Sequence, residues 1–208
     1  PELLKVGNPY LRPQFTNALE LAHKYSWSTG SIFTALYHRM IKDQYMRVYS
    51  IDASNPDYDI VNRIYQNTGR ATNTGVELLL AQDISDKVKV SGTFNWYSNA
   101  IDAYQGTLLF PYERTFTVEQ STADAWNAKL NAEFLLEQDL AIQLTGIYYS
   151  DKNIPQGREL SRSSVDLGLK KSFWDKKAEL TFSATDIFNR FGIRQEVTDQ
   201  GFTALYQN

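Results

Sequence analysis

Trp126-Asn127-Ala128-Lys129-Leu130-Asn131-Ala132-Glu133-Phe134-Leu135-Leu136 alternates apolar and polar residues for nearly its whole length. Trp126, Ala128, Leu130, Ala132, Phe134 and Leu136 form one set. Asn127, Lys129, Asn131 and Glu133, with Leu135 as the exception, form the other. On a helix of about 3.6 residues per turn the apolar set would scatter around the circumference. On a strand, where side chains alternate, it falls on one face. The stretch therefore predicts a strand with one apolar and one polar side.

The same sorting recurs along the chain. Val76, Leu78 and Leu80 oppose Glu77, with Leu79 out of phase. Val88, Val90, Phe94 and Trp96 oppose Lys89, Ser91, Thr93 and Asn95. Leu140, Ile142, Leu144 and Tyr148 oppose Gln143 and Thr145, and Val165, Leu167 and Leu169 oppose Ser164, Asp166 and Lys170. Leu180, Phe182 and Ala184 oppose Glu179, Thr181 and Ser183, and near the start Phe15, Leu19, Leu21 and Tyr25 oppose Thr16, Glu20 and Lys24. Residues 31–49 read as strand, but both phases are apolar and the faces cannot be assigned. No stretch predicts a helix longer than a turn or two. The expected fold is all-β: one domain over residues 1–208, an antiparallel up-and-down meander of about eight or nine strands.

The connections add an independent signal. Short ones fall at 26–30, 84–87, 137–139 and 174–177, long ones at 50–59, 99–110, 150–162 and after Asn189. They alternate in strict order. Hairpin turns at one end and long loops at the other is the layout of outer-membrane barrels. Aromatic residues make up 13% of the chain, and their positions follow this layout. With the long loops outside, Trp96, Trp126 and Tyr148 share one level, while Trp174, with Tyr25 and Trp27, lies at the other. Two such belts are expected where amphipathic rings meet headgroups; the plain β-propensity of aromatics is the competing reading.

Composition narrows the function classes. The 208 residues carry a net charge of −3, which gives no basic footprint for nucleic acid. With no cysteine, disulfide scaffolds, cysteine zinc sites and thiol catalysis are excluded. The mean hydropathy of −0.43 and the lack of a long apolar run exclude a transmembrane helix but not a transmembrane strand. Of the two histidines, only His38, with Asp43 or Ser50, offers a fragment of a hydrolase triad, and nothing in the spacing fixes its geometry. Asn55, Asp57 and Asp59 alternate as in a calcium loop but lack its glycine and closing glutamate. No metal site, no cofactor and no enzymatic activity are expected.

Several segments resemble a known family. Gly7-Asn8-Pro9-Tyr10-Leu11-Arg12-Pro13-Gln14 is similar to a Gly-Asn-Pro-x-Leu-x-Pro-Glu segment in the barrels of TonB-dependent outer-membrane receptors. Asn67-Thr68-Gly69 followed by Gly75-Val76-Glu77-Leu78 resembles that family's Asn-x-Gly and Gly-x-Glu-Leu pair. Asp186-Ile187-Phe188-Asn189 is similar to a late-barrel segment. The resemblance spans nearly the whole chain and is nearest to the barrels of Bacteroides-type outer membranes. It implies the outer membrane of a Gram-negative bacterium and active uptake of a small nutrient or metal chelate. It also implies a plug domain, the TonB energy-transducing complex and about 22 strands. Plug, TonB box and a closing aromatic strand are not found here, so the chain is expected to be a C-terminal barrel fragment.

In such a barrel the apolar phase meets outer-membrane lipid and the polar phase a wet lumen. Glu20, Glu77, Lys129, Glu133 and Asp166 all fall in the polar phase and are expected to face lumen or plug. Lys171 falls in the apolar phase, close enough to the turn at Trp174 to reach the interface. Ligand capture is expected from the long loops, at Tyr104, Phe110, Tyr112, Arg114 and Arg158. Arginine pairs with carboxylate or phosphate, and aromatic faces stack on sugars. A small barrel or sheet protein whose loops hold a partner, or a membrane hydrolase, are the alternatives.

Overall fold

The computed structural model describes residues 2–52, 60–109, 113–154, 157–199 and 202–207. Among them the chain forms seventeen strands: β1 (Glu2–Val6), β2 (Phe15–Trp27), β3 (Gly30–Lys42), β4 (Tyr45–Asp52), β5 (Ile60–Asn67), β6 (Arg70–Ser85), β7 (Val88–Ile101), β8 (Tyr104–Leu108), β9 (Arg114–Val118), β10 (Ser121–Leu136), β11 (Leu140–Tyr149), β12 (Lys152–Ile154), β13 (Gly157–Glu159), β14 (Arg162–Phe173), β15 (Ala178–Ala184), β16 (Arg194–Asp199) and β17 (Phe202–Gln207). Eight of these build one antiparallel sheet in the order β15-β14-β11-β10-β7-β6-β3-β2. This is the expected meander. The other nine form three smaller sheets: β8, β12, β13, β16 and β17 fall in the regions read as long loops, while β4, β5 and β9 flank them and β1 lies near the start of the chain. One pair departs from the antiparallel rule: β1 lies parallel to β5.

The stretch that opened the reading is β10, and its alternation is satisfied in three dimensions. Leu130 stands in register with Gly92 on one side and Gly146 on the other, while Asn131 stands between Ser91 and Thr145. One face of the sheet therefore carries Leu21, Leu36, Leu80, Phe94, Trp96, Trp126, Leu130, Leu144, Leu169, Leu180 and Phe182. All of these but Leu169 are exposed: Leu21 is 72% exposed, Leu130 57% and Leu180 65%. A water-soluble protein does not leave an apolar surface this large bare.

Residues 31–49 are two strands, β3 and β4, broken at Asp43, which adopts φ 54°. The ambiguous faces resolve once the break is seen. Leu36 joins the apolar row with Val76 and Trp96, while Tyr37 joins Gly75 and Tyr97 on the polar side.

Register also yields the inclination of the strands. Gly30, beside the first turn, aligns with Gln82 and Val90, but the next turn starts at Val88, two residues further on. Val88 aligns with Phe134, two residues short of the turn at Leu136, and Leu140 aligns with Lys171, two short of Phe173. Two residues of rise, about 6.8 Å, for every two strands, about 9.6 Å, is a tilt of about 35°. Transmembrane barrels have tilts of about 35–45°.

The sheet is open. Among the described residues, β2 and β15 have a strand partner on one side only.

If the apolar face lies in lipid, Leu144→Arg, four residues above the β10–β11 turn, should cost about 2–4 kcal/mol. Gln143→Arg, one residue away on the polar face, should cost less than about 1 kcal/mol. Urea titration of protein refolded into vesicles reads both values.

Candidate functional site

Most of the buried hydrophobic residues lie at the long-loop end of the large sheet, with Ala35 and Tyr37 buried lower down on its polar face. Ala71, Ile101 and Val118 are buried together, with Ile41, Met46, Tyr104 and Phe116 packed against them. Val48, Ile64, Leu108 and Val197 are also buried there. The rim thus holds a small core of the soluble kind, built on the upper ends of β6 and β7 and on β9.

Two of the recognised motifs are bolted together in this rim. Asn67 is 2% exposed. Its amide nitrogen donates to the carbonyls of Arg12 (3.0 Å) and Asp43 (2.8 Å), and its oxygen accepts from the Arg12 backbone N–H (2.8 Å). Thr68 donates its backbone N–H and its hydroxyl to the Gln44 carbonyl, and the Gln44 N–H donates to the Gly69 carbonyl. The Arg12 guanidinium pairs with the Asp43 carboxylate at 2.9 Å. Asn8 donates to the Tyr65 carbonyl and to the Gln66 side chain. The proline-rich entry segment is therefore pinned onto the rim, and the left-handed backbone at Asp43 is held from both sides.

The third motif is a capped turn. The Asp186 carboxylate accepts from the backbone N–H groups of Arg190 and Phe191, and Asp186 and Asn189 both have positive φ. Asp166 anchors it, accepting from the Asp186 N–H (2.8 Å) and the Ser164 hydroxyl (2.5 Å).

The residues singled out for the lumen share one face. Glu20 is in register with Tyr37 and Gly75, and Glu77 with Ala35 and Asn95. Lys129 opposes Thr93, Glu133 opposes Lys89 across one ladder and Gln143 across the other, and Asp166 opposes Thr145. The loop candidates are dispersed. Tyr104 packs on Phe116 (ring centroids 6.0 Å) and covers Gly69, so its ring belongs to the rim core. Arg158 is bound to Glu196 at 2.7 Å, and that bond and charge raise its pKa above the ordinary arginine value. Arg114 opens β9 opposite Leu108, its side chain lying outside the described residues, as do Phe110 and Tyr112. Asn55, Asp57 and Asp59 also lie outside them. His38 meets the Thr74 hydroxyl at 2.7 Å and Asp43 is taken by Arg12, while the Ser50 side chain lies outside the described residues. No group of metal-binding side chains occurs among the described residues.

A polar pocket of about 200 Å³ lies where the polar face of the sheet meets the rim. Gln44, Asn73, Tyr97, Asn99, Lys152 and Asn153 line it. The side-chain oxygens of Gln44 and Asn73 are buried and accept no hydrogen bond. Buried acceptors of this kind call for a donor. Tyr97, expected with Trp96 in the outer aromatic belt, lies instead on the polar face, and the other five did not stand out in the sequence beyond the general polarity of their phase.

The aromatic residues complete the geometry. Trp126 stacks on Tyr148 (centroids 4.6 Å) beside Phe94 (5.9 Å), and Trp96 faces Trp126 across the ladder. Trp96 lies eight residues above the Val88 turn, Trp126 ten above Leu136, and Tyr148 eight above Leu140. At the tilt found above this is a height of roughly 22–28 Å, against an apolar band of about 25 Å in outer-membrane barrels. Trp27, Phe173 and Trp174 sit at the turns below.

The outer membrane protein beta-barrel family has a model that matches residues 1–208. The chain belongs to that family. No curated protein and no solved structure matches it. Membership places this barrel protein in the outer membrane of a Gram-negative bacterium and makes the bare apolar face its lipid surface. Lys171 fits such a surface: at its lower edge it donates to the Gln138 carbonyl and lies over the Phe173 ring.

Asn67→Ala would leave the Arg12 and Asp43 backbone groups unpaired, at a cost of about 1–3 kcal/mol. Hydrogen exchange should speed up across residues 8–14 and 43–45 and stay unchanged in β10.

Proposed function

We propose that the chain is barrel wall of a TonB-dependent receptor that takes up a small nutrient or metal chelate across the outer membrane. The observation that carries this reading is the polar face. Glu20, Glu77, Lys89, Lys129 and Glu133 line it, none in an ion pair closer than 4.0 Å or a hydrogen bond among the described residues, though Lys89 stands opposite Glu133 and Lys170 pairs with Glu179 on the same face, and β2 and β15 are the sheet's edges there. Charges left open in this way suit a wide lumen filled by water and by a plug domain. The sequence motifs favour the same reading, since the Asn8 and Asn67 segments are locked into one unit at the rim.

Transport in this scheme begins outside. The rim pocket, with its two unpaired acceptors, holds a ligand group rich in hydroxyl or N–H donors. Movement of the plug, powered through TonB, then opens a path along the charged face. The protein acts by binding and passage, without a catalytic residue, metal or cofactor of its own. The pairing of His38 with Thr74 rather than with an acid favours this over the hydrolase reading. An adhesion module remains the second reading, favoured by the hairpins that enlarge the rim.

The full-length protein, purified in detergent, is expected to bind the immobilised periplasmic domain of TonB. Cells lacking TonB should show the same nutrient-limited growth defect as cells lacking this protein. No TonB binding, together with a deletion that alters surface attachment but not growth, would favour the adhesion reading.

A further inference from the structure

Two glycines on the lipid face have no explanation within the chain. Gly92 and Gly146 flank Leu130 in one register row that runs from Leu80 to Val165. Neither adopts a positive φ. A Cβ on Gly146 would meet nothing within 4 Å, and on Gly92 it would make only ordinary contacts at 3.5 and 3.6 Å. Gly75 is a contrast: there a Cβ would stand 2.5 Å from the Trp96 carbonyl and the Tyr37 hydroxyl, so its own neighbours demand glycine. Glycine inside a strand weakens it, and where no turn or crowding requires it, it marks a place approached by something else.

Both glycines lie in a shallow open groove of about 640 Å³ that runs across the sheet from Ile32 to Val165. That lies within the roughly 300–1,000 Å³ typical of small-molecule sites. Leu80, Phe94, Leu130 and Val165 give it apolar walls, and the stacked Trp126 and Tyr148 form a shelf beside it. Among its lining residues the side-chain polar groups on this face, the Tyr148 hydroxyl, Ser163 and the Trp126 indole, belong to the shelf level, where the aromatic belt meets the headgroups. The row of Leu130 lies below that level, deeper in the apolar band.

We infer that this groove is a binding site for an acyl chain of one outer-leaflet lipid, held below the Trp126–Tyr148 shelf and seated in the notches at Gly92 and Gly146. The occupant follows from continuity with the lipid surface: the groove opens onto the hydrocarbon layer and has polar groups only at the headgroup level. The lipid is thereby retained against exchange with the bulk and covers the aromatic pair from outside.

The test uses the full-length protein with Trp27, Trp96 and Trp174 replaced by phenylalanine, leaving Trp126 as the only tryptophan of residues 1–208; any tryptophan elsewhere in the parent is replaced likewise. The protein is reconstituted in phosphatidylethanolamine–phosphatidylglycerol vesicles with brominated acyl chains, which quench tryptophan on contact. The vesicles are then fused with a large excess of unbrominated lipid. A retained lipid leaves Trp126 quenched after fusion, and Gly146→Leu, which fills the open space, abolishes that residual quenching. Gly92→Val, narrowing the notch on the other side of Leu130, should reduce it. The wild-type result needs no variant to fold. Quenching that vanishes on fusion would mean bulk lipid only and overturn the inference. So would a Trp126 never quenched in wild type, with a cross-linked dimer or partner that Gly146→Leu abolishes, since protein would then cover the groove.

Discussion

Lipid cannot hydrogen-bond a peptide group, and that inability organises the rest of this molecule. Within the membrane each strand must pair on both sides, so the long strands run in one unbroken antiparallel order from β2 to β15. The same absence of water reverses the usual placement of side chains. Leucine and phenylalanine point outward and remain bare, while charged and amide side chains point to the inner face. The outer edges of β2 and β15, which have no strand partner among the described residues, need one, because a bare ladder edge is not tolerated in hydrocarbon.

Outside the membrane the ordinary rules return. Where water competes for backbone groups, a hydrophobic core is needed, and the rim builds one around Ile101 and Val118. It also needs side-chain clamps to hold irregular backbone. Asn67 serves the entry segment, and Asp166 with Asp186 serves the late turn. The protein is thus a sheet made for lipid joined to a cap made for water, and the candidate ligand pocket lies at their junction.

This division also explains what could be read from the sequence. The meander, its turns and, except in β3, the two faces were legible because lipid favours a period of two along the long strands. The hairpins in the long connections were not, since their stability comes from contacts such as Tyr104 with Phe116 and Ala71 with Val118, which no local pattern announces. The break at Asp43 was hidden for the same reason: its left-handed backbone depends on Arg12 and Asn67, both more than twenty positions away in sequence. At the candidate site, polarity was visible and purpose was not. Asp166 was placed on the polar face by its phase, but its engagement with Asp186 required the fold. Gln44, Asn73 and Tyr97 form a pocket only because β3, β6 and β7 pair in this register.

The central claim is that β10 crosses a membrane with one face in lipid and the other in water. Residues 1–208 contain no cysteine, so single cysteines introduced from 126 to 136 in the reconstituted protein can each carry a unique spin label once any cysteine elsewhere in the parent is removed. Collision with oxygen reports lipid, and collision with a water-soluble nickel chelate reports water. The account predicts a period of two: oxygen dominates at 128, 130, 132 and 134, and the chelate dominates at 127, 129, 131 and 133. Equal chelate access in both phases, or a period near 3.6, would contradict it.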